Sequence, residues 1–350
     1  MNVTDKILVA GAAGMVGGAL IRALIAQGHT NILGTFHTKV PTLVPEAEGR
    51  VRLKRLDLMD QATVRAFLEH ERPEHIFLAA ARVGGIQANN TYPAEFIHAN
   101  LAMQTNVIHG AYLAGVRRLL FLGSSCIYPR ECPQPIRESY LLTGPLEATN
   151  RPYAVAKIAG IETCWAYNRQ YGTRYLAVMP TNLYGPGDNY DLETSHVLPA
   201  LIRKAHEAKI RGDKHFTVWG TGTPRREFLY SDDLAGACAF LMTKAWKTEA
   251  LFNDHEPPLV NIGCGQDVTI AELARMVAGV VGFGGEIVFD ADKPDGTPQK
   301  LLDVSRLTAL GWTPRTTLLD GVGLAYADFL AHGTEDDTKR IASHLTCGTK

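Results

Sequence analysis

No aspartate or glutamate occurs anywhere from Lys6 to Pro45 of this 350-residue chain. An anion held along that stretch would therefore meet no carboxylate. Other absences narrow the field. Net charge is −1, so no global field recruits nucleic acid or an anionic membrane surface, and an anionic ligand needs a local cluster. No apolar run reaches the ~18 residues of a membrane span. Met1–Gly28 is apolar enough to resemble a signal peptide, but Gly11, Gly14, Gly17 and Gly18 break up its hydrophobic segment. The six cysteines form no CxxC and no metal-ligand spacing, so no metal is expected and the chain reads as a reduced, cytoplasmic protein. Internal repeats and low-complexity tracts are also missing.

What is present is a long alternation of strand and helix. Apolar runs at Lys6–Ala10, Asn31–Thr35, Val51–Leu56, His75–Ala80, Arg118–Gly123 and Tyr175–Met179 read as strands. Helical periodicity fills Met15–Gln27, Gln61–Glu71, Pro93–Gly115 and about Pro152–Tyr171. Such alternation predicts an α/β fold, a doubly wound parallel sheet covered on both faces. Beyond Asn182, Gly/Pro/Asn-rich segments alternate with short helices, which predicts a smaller C-terminal α/β lobe that binds substrate. With 46% hydrophobic residues, a chain of this length has enough for two such bodies. The expected division is a nucleotide-binding domain over 1–183, rejoined by about 228–257, and a lobe from 184–227 and 258–332. Residues 333–350 show no apolar periodicity and read as a tail.

Gly11-Ala12-Ala13-Gly14-Met15-Val16-Gly17 places a GxxGxxG directly after the first strand and at the start of a helix. Glycines there permit a tight turn and let the backbone approach a pyrophosphate at the positive helix end, the signature of dinucleotide binding. An NAD site usually adds a carboxylate after the second strand. Here that strand runs into Gly34-Thr35-Phe36-His37-Thr38-Lys39, where His37 and Lys39 suit a 2′-phosphate, so NADP is expected. Asp57 and Leu58, after the third strand, are placed near the adenine.

Tyr153 and Lys157 form a YxxxK in a helical pattern, which sets both side chains on one face. A lysine charge lowers a phenol's pKa and assists its proton donation to a developing alkoxide. Ser124 follows the strand Arg118–Gly123, at the carboxyl end where parallel sheets bind ligands. Donors from Ser124 and Tyr153 converging on one oxygen would polarise a ketone. YxxxK alone is weak; glycine turn, serine and YxxxK in this order are not.

At these residues the sequence resembles the extended short-chain dehydrogenase/reductases, most closely their GDP-fucose-forming branch. The resemblance covers both lobes to about Leu330, with VGGIQANNTYPAEFI (83–97), FLGSSCIYP (121–129), PYAVAKIAGIE (152–162), MPTNLYGPGDN (179–189), SHVLPAL (195–201), VWGTGTPRREF (218–228) and KPDGTPQKLLDVSRLTALGW (293–312) as its long strings. It implies conversion of GDP-4-keto-6-deoxy-mannose to GDP-fucose, by epimerisation at C3 and C5 and NADPH-dependent reduction at C4. By the same resemblance Cys126 and His196 exchange the protons at C3 and C5. Leu122, Gly123, Ser124, Ser125, Tyr153, Lys157, Pro180, Thr181, Asn182, Leu183 and His196 join the glycine turn in holding the cofactor. Lys204, Trp219, Arg226, Asp295 and Lys300 are implied contacts of a GDP-sugar, and a homodimer through Pro93–Gly115 and the Tyr153 helix is implied too. The chain departs from the better-known members at Ala12-Ala13, where they carry a basic residue, and in a longer Phe36–Arg55 segment.

Rival chemistries leave different marks. A 4,6-dehydratase places an acid soon after the catalytic serine; here Ser125-Cys126-Ile127 follow, with no acid before Glu131. A plain 4-epimerase needs no Cys/His pair, and a redox-sensing regulator would tend to lose Tyr153 or Lys157. A paralogue acting on another GDP-4-keto-deoxy sugar, of colitose or deoxyheptose type, would keep all these residues.

Overall fold

The computed structural model describes residues 1–293 and 295–333. In chain order, β1 (Ile7–Ala10), α1 (Met15–Ala26), β2 (Ile32–Phe36), β3 (Val51–Arg55), α2 (Gln61–Glu71) and β4 (His75–Leu78) form the first half of the main domain. There follow α3 (Ile86–Thr91), α4 (Pro93–Leu113), β5 (Arg118–Leu122), α5 (Arg151–Tyr171) and β6 (Arg174–Pro180). The expected elements lie within two residues of these, except α3, which the periodicity did not announce. Its QANN stretch has no apolar face; Asn89 holds it by donating to the carbonyls of Gly84 and Gly85 (2.7 and 3.0 Å).

The rest of the chain supplies β7 (Asn182–Tyr184), α6 (Val197–Arg211), β8 (His215–Trp219), β9 (Arg225–Tyr230), α7 (Ser231–Thr243) and β10 (Leu259–Ile262). After these come β11 (Asp267–Thr269), α8 (Ile270–Val281), β12 (Glu286–Asp290), β13 (Gln299–Lys300), α9 (Ser305–Ala309) and α10 (Leu318–Asp328). Apart from Gly333, the expected 333–350 tail lies outside the described residues.

Seven parallel strands run in the order β3-β2-β1-β4-β5-β6-β10. Alternation along β1 explains the two covered faces. Ile7 and Val9 enter a core with Leu20, Ile21 and Leu24 of α1 and Leu234 and Leu241 of α7. Leu8 and Ala10 point the other way, into a core with Val64 and Leu68 of α2, Val107 of α4 and Ile161 of α5. Each fully buried leucine or isoleucine contributes roughly 2 kcal/mol. The chain order reverses between β1 and β4, and the crevice at the carboxyl ends of strands there is where such sheets take ligands. The sheet reaches further along the chain than the expected return at 228–257, because β10 pairs with β6 as its seventh strand. Four residues of LVNI are too few to separate a buried sheet strand from a lobe segment by pattern.

In the smaller lobe β9 is flanked by β11, antiparallel, and by β13 and β7, both parallel, while β8 pairs with β12. Leu198, Leu201 and Ile202 of α6 pack with Leu273 and Val277 of α8 and Val322 of α10. Two buried polar residues pin this lobe to the sheet. Asn261 of β10 accepts from the Tyr128 hydroxyl (2.6 Å) and donates to the carbonyls of Ile136 and Asp303 (2.9 and 3.2 Å). Glu227 of β9 accepts from the amides of Gly265 and Leu302 (2.7 and 3.0 Å), and burial raises its pKa. No described helix is long and apolar enough to cross a membrane, and no cluster among the described residues could hold a metal ion.

Candidate active site

The glycine turn is shaped by contacts only glycine permits. Gly11 has φ +92°, and a Cβ there would lie 2.7 Å from the Ala80 backbone; one on Gly17 would sit 2.0 Å from the Gly11 carbonyl oxygen. Amides of Gly11 and Ala12 donate to the Thr35 carbonyl (3.2 and 2.8 Å), which locks the turn onto the end of β2. α1 starts with Gly14 as its cap, no side chain satisfies the first amides, and its first turn carries no acid. Free amides at a helix N-terminus fit a dinucleotide diphosphate.

At the ribose end, His37 and Asp57 come together across adjacent strands, with Nε2 and Oδ2 3.8 Å apart and both side chains exposed. The acid-free stretch in sequence is thus not an acid-free surface in space, because β3 runs parallel to β2 and brings Asp57 beside it. Sequence reasoning missed Arg55, whose Nε donates to the His37 carbonyl (3.0 Å), placing a third basic side chain near His37 and Lys39. The β2–β3 register, which pairs Phe36 with Arg55, was the signal available for it.

Tyr153 and Lys157 lie on α5, both buried. Ser124 caps the turn after β5, accepts from the Cys126 amide (3.3 Å), and hydrogen-bonds the Tyr153 side chain. Lys157 Nζ donates to the Leu122 carbonyl (2.7 Å) and lies 5.8 Å from the Tyr153 ring centre. Burial lowers the Lys157 pKa to about 7. The Tyr153 phenol moves opposite to expectation: burial raises its pKa well above the ordinary range, Cys126 adds to this, and the Ser124 hydrogen bond opposes it. A lysine that is itself dehydrated is half discharged near neutrality and exerts little field. Tyr153 therefore holds its proton firmly in the chain alone.

Cys126 is half-buried, packed against Tyr153 together with Ala88 and Phe96. Its sulfur accepts from Asn150 Nδ2 (3.2 Å) and lies 3.6 Å from Lys300 Nζ. Asn150 directly precedes α5, a residue the sequence reading passed over. His196 caps α6. Burial lowers its pKa, although the residue as a whole is exposed. The segment before it is tied to the start of α3 by the Gly85 amide, which donates to the Thr194 carbonyl (3.1 Å), and α3 carries Ala88 of the Tyr153–Phe96–Ala88 patch.

The remaining expected residues divide. Trp219 is 55% exposed at the end of β8, with Lys204 and Lys293 Nζ 5.3 and 5.6 Å from its ring centre. Lys204 also donates to the Thr217 carbonyl (3.1 Å), and burial lowers its pKa. Arg226 is dehydrated, which lowers its pKa, and Asp295 and Cys126 are its neighbours. Asp295 accepts from the Thr221 amide and hydroxyl (2.7 and 2.8 Å), so it shapes the turn after Trp219. Lys300, on β13, lies beside Arg226, with its side chain 3.6 Å from the Cys126 sulfur. Thr181 Oγ1 and Asn182 Nδ2 both donate to the Glu227 carbonyl (3.1 and 2.8 Å), which fixes the 180–183 segment between the lobes.

Comparison with known proteins agrees with this architecture. Residues 7–263 match the model of the NAD dependent epimerase/dehydratase family. GDP-L-fucose synthase 1 of Arabidopsis thaliana is 54% identical, covering 93% of each chain. GDP-L-fucose synthase of Escherichia coli is 49% identical over 93% of this chain and 97% of its own. Among solved structures, a GDP-mannoheptose C4 reductase from Campylobacter jejuni with NADP bound superposes with a TM-score of 0.80, at 36% identity over 94% and 99% of the two chains. The chain belongs to the NAD-dependent epimerase/dehydratase family and, within it, to the GDP-L-fucose synthases.

Proposed function

We propose that the chain converts GDP-4-keto-6-deoxy-D-mannose to GDP-L-fucose, as a 3,5-epimerase and an NADPH-dependent 4-reductase. The observation that carries this reading is a group of proton-handling side chains gathered at the end of β5: Ser124 hydrogen-bonded to Tyr153, with Cys126 packed against Tyr153. NADP is held by the Gly11–Gly17 turn, with His37, Lys39 and Arg55 for the 2′-phosphate; when bound it supplies the hydride for C4.

The sugar's C4 ketone oxygen accepts from Ser124 and Tyr153, and both C3 and C5 flank that carbonyl. Polarising one oxygen therefore stabilises the enolate formed by losing a proton at either carbon. Cys126 and His196 exchange those protons. Tyr153 then gives its proton to the C4 alkoxide, a step favoured by a phenol that has not already ionised. Lys157, anchored on the Leu122 carbonyl, would hold the cofactor ribose. Trp219, Arg226 and Lys204 receive the GDP portion, with Asp295 shaping their wall.

A cytoplasmic homodimer through α4 and α5 belongs to the same reading. Its support is the exposed apolar surface on those helices, Leu113, Val155 and Tyr171, with Tyr112 and Tyr171 stacked 4.2 Å apart. The test is to incubate purified protein with NADPH and GDP-4-keto-6-deoxy-mannose and identify the product by NMR. GDP-L-fucose is expected; product only from a GDP-linked colitose or heptose precursor would reassign the substrate.

A further inference from the structure

Lys300 sits beside Arg226 in the lobe, but its side chain turns to the other lobe. β13 pairs with β9 so that Lys300 lies opposite Arg226, and its side chain reaches across the seam between the lobes to the Cys126 sulfur, 3.6 Å away. Asn150 donates to the same sulfur from the main domain (3.2 Å), and its amide oxygen is buried without a partner. Cys126, Asn150 and Lys300 line one small cavity of about 40 Å³, together with Arg130, Glu147 and Gln299. The only carboxylate among the lining residues, Glu147, is engaged by Arg130 at 3.4 Å. The sulfur thus faces a cation and an amide donor, one from each lobe.

We propose that Lys300 is a positioning residue for Cys126. Its ammonium, with the Asn150 amide, aims the sulfur at the substrate and pairs with the negative charge that sulfur carries while its proton is away. When Cys126 delivers a proton to an enolate carbon, the S–H bond breaks, a C–H bond forms, and the electron pair stays on sulfur 3.6 Å from Nζ. Proton removal by the sulfur is the reverse. Because the cation comes from the substrate lobe, Cys126 is competent only while the two lobes are in register. The proposal rests on the epimerase reading above for its catalytic consequence, but the pairing itself does not.

The experiment compares Lys300→Met and Lys300→Arg with the parent in three measurements on the full chain: alkylation of Cys126 by iodoacetamide followed by mass spectrometry, GDP affinity by calorimetry, and deuterium uptake at C3 and C5 of GDP-4-keto-6-deoxy-mannose. Loss of one charge-assisted contact predicts about tenfold slower alkylation and deuterium uptake in Lys300→Met. GDP affinity should stay within about twofold of the parent, and Lys300→Arg should recover most of both rates. Unchanged alkylation in Lys300→Met overturns the pairing, and if GDP affinity falls at the same time, Lys300 is a nucleotide contact. Slower alkylation with deuterium uptake at the parent's rate overturns the positioning role. If the parent itself takes up no deuterium, the epimerase reading fails, and the alkylation result still decides the pairing.

Discussion

Tyr153 and Lys157 ride on one helix, buried, four residues apart, with their geometry set by the helix itself. Cys126 and His196 stand on two separate turns, one at the end of β5 and one at the cap of α6, and the proposed proton exchange needs both to reach one substrate. The first pair depends on local structure, and the second on a seam held by Asn261, Glu227 and Lys300. Reduction chemistry should therefore tolerate small shifts between lobes, whereas proton exchange at C3 and C5 should not.

The largest effect expected from breaking this comparison is on the helix pair. Tyr153→Phe removes the C4 proton donor and should lower turnover by at least ~10²-fold, with NADPH binding kept. Stopped-flow NADPH oxidation beside fluorescence titration checks both. Near-normal turnover would remove Tyr153 from the role.

Lys157→Met sharpens the burial side. The lysine's pKa is about 7 in the folded chain against an ordinary ~10.4 unfolded. Between those values the unfolded chain binds a proton that the folded chain does not. The parent therefore loses stability as pH falls from above 10 to 7, and no further below that. Relative to the parent, the methionine variant should gain by up to ~4 kcal/mol over the same interval, then level off. Denaturant midpoints measured from pH 10 to 6 test this; a pH-independent difference would mean the buried amine keeps its ordinary pKa.

Asn261→Ala loosens the seam. It strands the Tyr128 hydroxyl and the carbonyls of Ile136 and Asp303, and should cost ~3 kcal/mol of stability. Its sharper reading is selective: deuterium uptake at C3 and C5 should fall more than cofactor affinity. Equal losses in both would mean that the seam does not discriminate between the two halves.

The smallest expected effect lies at the ribose end. Arg55→Ala should reduce the NADPH-over-NADH ratio in kcat/KM by about tenfold, the worth of one charge-assisted contact. Equal use of the two cofactors by the parent would set Asp57 above the basic side chains there.

What was legible in the sequence follows the same division. The parallel sheet could be read from period-2 and period-3.6 patterns, and the glycine turn and YxxxK carry fixed local spacing. β10 was placed outside the sheet because four apolar residues carry no length signal, and α3 was missed because asparagine side chains hold it rather than an apolar face. At the site, Arg55, Asn150 and Glu227 were invisible because each acts through a neighbour brought in by strand register or by the seam. The phenol's direction was misjudged for a related reason: spacing shows that a lysine is near, but not that both groups are buried. Asp57 beside His37 likewise needs the β2–β3 register, which no motif prints.

The central claim, that proton exchange and reduction use different residues in one cleft, is tested most directly by deuterium exchange. Cys126→Ser and His196→Asn, each with the sugar substrate in deuterated buffer and NMR of the product, should show uptake at C3 and C5 slowed by ~10². NADPH should bind as in the parent, and any reduced sugar should keep its original configuration at one or both carbons. If both variants exchange at the parent's rate and still yield the fully inverted sugar, then Cys126 and His196 are structural and the account is wrong.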